Sequence, residues 1–221
     1  MITSCASVPR KLSGGRYNPL SDAEVQRIHQ TALQALEEIG LADAPESGVA
    51  ILTGAGAVLG DDGRIRFPRA LVEDMLAKAA RNITLFGRDP AHDLEVTGTR
   101  VYYGTAGAAV HVVDVQGRNY RESTVQDLFD AARIVDRLDN IHFLQRPMVC
   151  RDIPDNLAMD LNTIYACCRG TTKHVGTSFT EPAFVPHAFD LIHMIAGGEE
   201  NWRARPFISN SNCFVVPPMK F

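Results

Sequence analysis

The chain has 221 residues, of which 45% are hydrophobic and 22% charged, so it has enough apolar side chains to form a buried core. Its formal net charge of −4 excludes the overall basic excess that is typical of nucleic-acid-binding proteins. No run of about 18 apolar residues occurs, so we expect no membrane-spanning segment. The five cysteines are an odd number without regular spacing, which favours free thiols and a cytoplasmic location.

The first part of the chain predicts a small domain of helices and antiparallel strands. Ser21 and Glu24 have the spacing of a capping box at the start of an amphipathic helix, and Gly40 is a natural end for it. Further helices are predicted after Pro45 and Pro68. Short alternating runs separated by turn residues then predict antiparallel strands between residues 83 and 120.

A second capping-box pattern, Ser123 with Gln126, predicts the next helix. Three strand-like segments follow, at Ile141–Val149, His174–Phe179 and Phe207–Val216, and their first residues are equally spaced along the chain. Helical patterns fill the gaps between them. This alternation of strand and helix predicts βα units and a parallel sheet.

The interval between the strands matches the roughly 31 residues per unit of a (β/α)8 barrel. We therefore predict an α/β fold with a partial (β/α)8 TIM barrel of about three βα units over residues 139–221. A small α+β N-terminal domain precedes it over residues 1–138. Three units cannot close a barrel, so we expect a fragment of a longer protein. The alternative is a complete three-layer α/β domain with a three-stranded sheet.

Common catalytic and cofactor-binding signatures are absent from the sequence. It has no GxxxxGK[ST] phosphate loop, no GxGxxG after a strand and no GxSxG nucleophile elbow. CxxC and HExxH are also absent, so no metal site is predicted. The adjacent Cys167 and Cys168 cannot both face one metal from a helix, and we expect one of them in the core and the other on its flank.

The candidate site residues lie where the predicted parallel strands end, because barrel enzymes carry their chemistry there. The polar residues at these positions are Gln145, Arg146, Thr177, Ser178, Asn210 and Asn212. Tyr103 and Thr105 join them from a glycine-rich segment that allows close approach to a ligand. We predict that all of these residues bind substrate, and we assign no catalytic residue. The alternative is hydrogen bonding between strands or, for the glycine-rich segment, a tight turn.

Two further groups of residues lie in the same predicted strands. His142 and His174 begin their strands, which places them at the opposite end of a barrel and favours a role in stability. Phe143, Phe179 and Phe214 suggest an aromatic cage for a cation, although aromatic residues in strands are more commonly part of a core.

Several stretches together resemble the trimethylamine methyltransferase superfamily, which also has members that act on quaternary amines. They are GGRY at 14–17, PLS at 19–21, YGTAG at 103–107, DL at 127–128, AAR at 131–133, DNIH at 139–142, QRP at 145–147, DLN at 160–162, GTTKH at 170–174, NC at 212–213 and PPMKF at 217–221. No single stretch is specific, but together and in this order they span nearly the whole chain.

The resemblance implies a (β/α)8 barrel in a chain roughly twice as long. It also implies transfer of a methyl group from a tertiary or quaternary amine, trimethylamine or betaine-like, to the cobalt of a corrinoid. No cofactor is bound directly, because a partner protein carries the corrinoid (cobalamin). The implied process is methylamine metabolism, as in methanogenesis. In the trimethylamine enzymes a pyrrolysine lies in the later half of the barrel, a region that this sequence does not reach.

We therefore expect an enzyme whose partners are a corrinoid protein and a small amine, without nucleic-acid or membrane partners, and we expect the 221-residue chain alone to be inactive. Homo-oligomerisation is compatible with open strand edges. Two other hypotheses stay open. One is a non-catalytic α/β binding or interaction module derived from that family. The other is a self-contained α/β enzyme that uses Arg146 and Asp152 on an anionic substrate.

Overall fold

The computed structural model describes residues 12–15, 17–211 and 219–221. Its helices are α1 (Asp22–Glu38), α2 (Glu46–Gly54), α3 (Arg69–Lys78), α4 (Val125–Arg137), α5 (Asn156–Gly170), α6 (Val185–Ala196) and α7 (Glu199–Ala204). Its strands are β1 (Leu12–Ser13), β2 (Val58–Leu59), β3 (Ile65–Arg66), β4 (Ile83–Leu85), β5 (Leu94–Val96), β6 (Arg100–Val101), β7 (His111–Val113), β8 (Tyr120–Glu122), β9 (Leu144–Gln145), β10 (Val175–Thr177) and β11 (Ile208–Asn210). Within these residues, the helices are all too short or too polar to cross a membrane.

The chain forms two compact units. Of the described residues, the larger unit contains 12–14 and 82–211, and the smaller unit contains 15, 17–81 and 219–221. This division differs from the predicted boundary between residues 138 and 139. Helix α4, before that boundary, packs closely against α5, after it, so the larger unit includes residues on both sides.

The smaller unit is built on α1, α2, α3 and the antiparallel pair β2–β3. The predicted capping box is confirmed, because the Ser21 N–H donates to the Glu24 carboxylate at 2.8 Å and the Ser21 side chain accepts from the Glu24 N–H. Gly40 follows the end of α1 with φ +69°, a conformation that favours glycine. The helices predicted after Pro45 and Pro68 are α2 and α3.

In the larger unit, the antiparallel pairs β4–β5 and β7–β8 confirm the predicted strand type. Strand β6 is also antiparallel, but its partner β1 lies in a part of the chain where no strand was predicted. The predicted cap of α4 is wrong by one residue, because Thr124 and Asp127 form the capping box in place of Ser123 and Gln126. Ser123 is fully buried, and its hydroxyl donates to the Val149 carbonyl at 2.7 Å. With this start, α4 directs three apolar side chains towards the core, namely Leu128, Ala132 and Val135.

A three-stranded parallel sheet, in the order β9–β10–β11, is the centre of the larger unit. Helix α5 connects β9 to β10, and α6 with α7 connects β10 to β11, as the alternation predicted. The core lies between this sheet and the helices. The partial TIM barrel stays a prediction, since such a sheet is also compatible with a smaller α/β domain. The predicted end of the third strand, residues 212–216, lies outside the described residues.

An extended segment, residues 103–109, lies parallel to β9 along its outer edge. Single bridges join Gly104 to Phe143 and Ala109 to Met148. The segment is therefore an irregular fourth member of the parallel sheet, and the tight turn considered for these residues is not observed.

The two cysteines of α5 correct another expectation. Cys167 and Cys168 are both buried, whereas we predicted one of them at the flank of the core. The helix packs closely against α4 at Gly170, where an added Cβ would lie 2.5 Å from the Ala132 side chain. Burial raises the pKa of both thiols.

The turn before β10 joins the sheet to the end of α4 through a buried lysine. Lys173 is 3% exposed. Its ammonium group donates to the carbonyls of Val135, Leu138 and Ile141 at 2.7, 2.8 and 2.6 Å. A buried ammonium group needs such acceptors, and these carbonyls lie where α4 ends and the chain turns towards β9.

The same turn is fixed by Asp136 and by a buried histidine. Burial opposes ionisation of Asp136, but hydrogen bonds from Thr172 and Thr171 outweigh it and lower its pKa. The ring Nδ1 of His174, which is 3% exposed, lies 2.9 Å from the Phe86 carbonyl. Burial lowers the pKa of His174, and its bond to Phe86 offsets this only in part.

We expect Lys173→Met to lower the free energy of unfolding of the larger unit by about 3 kcal/mol, because three carbonyls lose their charged donor. Urea unfolding followed by the fluorescence of Trp202, the only tryptophan of the chain, measures this change. Lys78→Met, at an exposed position in α3, is the matched control and should cost less than about 0.5 kcal/mol. Equal effects of the two substitutions would show that the three hydrogen bonds add nothing.

The lowered pKa of His174 predicts a pH dependence of stability. The folded chain resists protonation of this ring, while the unfolded chain protonates it near the ordinary value of 6.5. The contribution is therefore complete above that value and falls as the pH is lowered towards 5. We expect urea midpoints at pH 7.5 and 5.0 to differ less for His174→Asn than for the unsubstituted chain. His187→Asn, at an exposed position, should keep the full difference. The same difference in all three proteins would contradict the prediction.

Candidate functional site

A row of three residues crosses the parallel sheet on the face turned away from the helices. Gly176 of β10 pairs in register with Gln145 of β9 and with Ser209 of β11. The neighbouring Val175 and Leu144 are buried in the core. Since side chains alternate along a strand, the row points to the opposite face. This polar row is the centre of the candidate site.

The glycine in the row gives the Gln145 side chain its position. A Cβ added to Gly176 would lie 1.9 Å from Gln145 Oε1, so the amide lies across β10 where a side chain would otherwise stand. The Thr105 hydroxyl donates to the Gln145 backbone carbonyl and fixes the strand from the other side. The structure thus brings together Thr105 and Gln145, as the sequence predicted. No described residue hydrogen-bonds the Gln145 amide group, which can therefore serve a ligand.

Arg146 and Ser178 meet beyond the carboxyl ends of β9 and β10. Arg146 Nη2 donates to Ser178 Oγ at 3.1 Å. On the same loop, Thr180 donates to Asp160 Oδ2 from its N–H at 2.8 Å and from its hydroxyl at 2.9 Å. The loop after β10 is thus held at two points, by the cation that follows β9 and by a carboxylate from α5.

Asp160 was not among the predicted site residues. It is 2% exposed, and its Oδ1 has no hydrogen-bond partner among the residues that the structure describes. The signal in the sequence was an aspartate on the side of α5 that carries Leu157 and Ile164. The helical period of α5 places Asp160 one turn before Ile164, which is also buried.

Three other predicted residues lie elsewhere. Thr177 is 1% exposed and shares the helix-facing side of β10 with Val175. Asn210 is exposed at the end of β11, opposite Thr177 in the register. Asn212 lies outside the described residues. The prediction that Asn210 lies at the end of its strand is thus confirmed. Thr177 points away from the polar row.

Tyr103 lies at the amino end of the sheet, away from Arg146 and Ser178. Its N–H donates to His142 Nδ1 at 2.9 Å, and its carbonyl accepts from the His142 N–H at 2.7 Å. The two rings are stacked with centroids 6.4 Å apart. His142 thus fixes the start of the extended segment, and Tyr103 is separated from Arg146 by about 10 Å or more along β9.

The two described aromatic residues of the predicted cage, Phe143 and Phe179, have different surroundings. Phe143 packs on Gly104, where an added Cβ would lie 2.3 Å from the ring. Phe179 packs against the core between sheet and helices. Phe214 lies outside the described residues. Within the described ranges, no group of three or more His, Cys, Asp or Glu side chains is arranged to hold a metal ion.

Ser209, a member of the polar row, forms a hydroxyl–imidazole pair with His174 that the sequence did not predict. Ser209 Oγ lies 3.0 Å from His174 Nε2. The sequence did contain a signal for the position of Ser209. Gly176 and Ser209 are separated by the same number of residues as the starts of their two predicted strands, so they are expected to lie side by side. The predicted role of His174 in stability is compatible with this contact, because one ring nitrogen bonds the Phe86 carbonyl and the other bonds Ser209.

Comparison with known proteins gives a consistent family. Residues 5–221 match the family model of trimethylamine methyltransferase (MTTB). The trimethylamine methyltransferase MttB of Desulfitobacterium hafniense (strain DSM 10664 / DCB-2) is 28% identical over 198 residues, covering 89% of this chain and 40% of that protein. MttB of Methanosarcina thermophila is 24% identical over 211 residues, covering 93% and 44%. A glycine betaine methyltransferase of Desulfitobacterium hafniense (strain Y51) is 24% identical over 194 residues, covering 87% and 40%.

The chain spans less than half the length of these relatives. Three of the stretches that carried the resemblance lie in features described above. YGTAG forms the segment beside β9, QRP leads from the polar row past the carboxyl end of β9, and GTTKH forms the turn with the buried lysine. Since the family model covers nearly the whole sequence, the chain belongs to the trimethylamine methyltransferase family.

Proposed function

We propose that this chain is part of an enzyme that passes a methyl group from a tertiary or quaternary amine to the cobalt of a corrinoid carried by a partner protein. The family supports methyl transfer, and relatives named for trimethylamine and for glycine betaine support the class of amine. The proposed fold is a partial (β/α)8 barrel that begins with the parallel sheet. The greater length of the relatives supports later barrel units in a longer protein.

The reaction sets the requirements for the site. Reduced cobalt supplies the electron pair of the new bond to carbon, and the pair of the broken N–C bond stays on nitrogen. A quaternary amine then leaves as a neutral tertiary amine. A tertiary amine needs a proton on nitrogen to leave as a neutral secondary amine. The protein must hold the amine, direct one methyl group outwards and exclude water.

The observation that carries the proposal is the polar row on the open face of the sheet, next to the strand ends. Gln145 and Thr105 supply the amide and the hydroxyl, and the contact between Arg146 and Ser178 fixes the loop beside them. We assign these residues to binding and orienting the amine. Asp160 holds the same loop from α5, through the hydrogen bonds that it accepts from Thr180.

Methyl transfer can be measured with the longer protein encoded by the reading frame that contains this chain. A corrinoid protein reduced to Co(I) and either trimethylamine or glycine betaine are supplied, and the loss of Co(I) absorbance is followed. We expect transfer by the longer protein and none by the 221-residue chain. Transfer by the short chain, or a stop codon directly after Phe221, would contradict the prediction that this chain is a fragment of a longer enzyme. If the longer protein transfers no methyl group from either amine, the interaction module becomes the better hypothesis.

Substitution of Gly176 tests the site itself. In the longer protein, Gly176→Ala forces the Gln145 amide off the sheet, and we expect kcat/KM for methyl transfer to fall about tenfold or more. The displaced group is the end of a flexible side chain, so the urea midpoint should change little. Gly54→Ala is the control, since its Cβ would meet nothing within 4 Å. Unchanged kcat/KM in Gly176→Ala would remove Gln145 from the proposed site.

A further inference from the structure

The hydrogen bonds of His174 fix which of its nitrogens carries hydrogen. Its Nδ1 lies 2.9 Å from the Phe86 carbonyl, and a carbonyl oxygen only accepts. Nδ1 must therefore be the donor. The ring is buried, which disfavours its charged form, so at neutral pH the other nitrogen, Nε2, carries no hydrogen.

An imidazole nitrogen without hydrogen is an acceptor, and its partner must donate. The partner at 3.0 Å is the hydroxyl of Ser209. A serine hydroxyl has one hydrogen, which this bond uses. Towards any other molecule, the Ser209 oxygen can therefore only accept a hydrogen bond, through its lone pairs.

Those lone pairs lie on the open face of the sheet. Ser209 is exposed and stands in the polar row, beside Gly176. The Thr105 hydroxyl, at the edge of the same sheet, likewise uses its hydrogen on a carbonyl, so its oxygen also offers only lone pairs. Arg146 follows β9, which lies two strands from Ser209, and this separation of about 10 Å leaves room for a cation.

An acceptor of this kind distinguishes the two classes of amine. A trialkylamine is protonated at neutral pH and carries one N–H, whereas a quaternary ammonium ion has only carbon on its nitrogen. We infer that Ser209, held as a pure acceptor by His174 and Phe86, binds the N–H of a protonated tertiary amine and makes this site prefer tertiary over quaternary amines. The inference rests on the proposed function and assigns it one of the two substrate classes.

The state of the histidine can be tested without any ligand. In the purified chain labelled with 15N at histidine, two-dimensional NMR at pH 7.5 distinguishes Nδ1–H from Nε2–H. We expect the Nδ1–H form for the resonance that disappears in His174→Asn. An Nε2–H or doubly protonated ring would make Ser209 the acceptor of that bond and would overturn the inference, whatever the enzyme does.

Selectivity is tested by titrating the purified chain with trimethylammonium and tetramethylammonium chloride at pH 7.5, using NMR shift changes. These probes differ by one methyl group in place of the N–H. A hydrogen bond to a charged group predicts about a tenfold tighter dissociation constant for trimethylammonium. Ser209→Ala should abolish the preference, and Ser209→Thr, which keeps the hydroxyl, should retain it. Ser47→Ala, an exposed serine of α2, is the matched control.

The outcomes separate this inference from the proposed function. If both cations bind and Ser209→Ala leaves their ratio unchanged, the role of Ser209 is wrong and the amine site stands. If the unsubstituted chain prefers tetramethylammonium, Ser209 does not set the selectivity. If neither cation binds either the chain or the longer protein, the amine site of the proposed function fails, and the role of Ser209 fails with it.

Discussion

The candidate site depends on one buried ammonium group. Lys173 lies where the end of α4, the approach to β9 and the turn into β10 meet. Its ammonium group donates to three carbonyls there, those of Val135, Leu138 and Ile141. Removing a charge from water is costly, so the charge can remain buried only while those carbonyls stay in place. This sets the starting points of two neighbouring strands. The register of Gln145 beside Gly176 follows from those starting points.

Close approach at glycine is a recurring device in the larger unit. A side chain at Gly104 would clash with the Phe143 ring, one at Gly170 with α4, and one at Gly176 with the Gln145 amide. The three positions serve different layers: the edge of the sheet, the packing of two helices and the polar face. In each case the missing side chain lets a neighbour come nearer than packing would otherwise permit. The shape of the site thus depends on the missing side chains of glycines as well as on polar groups.

Features of the sequence with a local cause were predictable, whereas contacts between distant parts of the chain were out of reach. The cap of α4 was placed one residue early because Ser123 and Thr124 are both good caps, and only burial of Ser123 against Val149 decides between them. Thr177 and Ser178 diverge because a shift of one residue along a strand changes the face. The role of Ser209 required the position of His174 and, through it, of Phe86, which follows β4 in a much earlier part of the chain. Spacing alone cannot supply such a contact.

The order of the parallel strands has a consequence for how the chain acquires its structure. Each strand pairs with the one that precedes it along the chain: Phe143 with Gly104, Val175 with Leu144, and Ile208 with Val175. Among the described residues, each strand after the first segment therefore finds its first partner in a part of the sheet that precedes it along the chain. Loop closure costs nearly the same at each of these steps, because the intervals are similar and the cost rises only slowly with length. The sheet can therefore grow in the direction of translation, each new strand adding to the edge already formed as the chain leaves the ribosome.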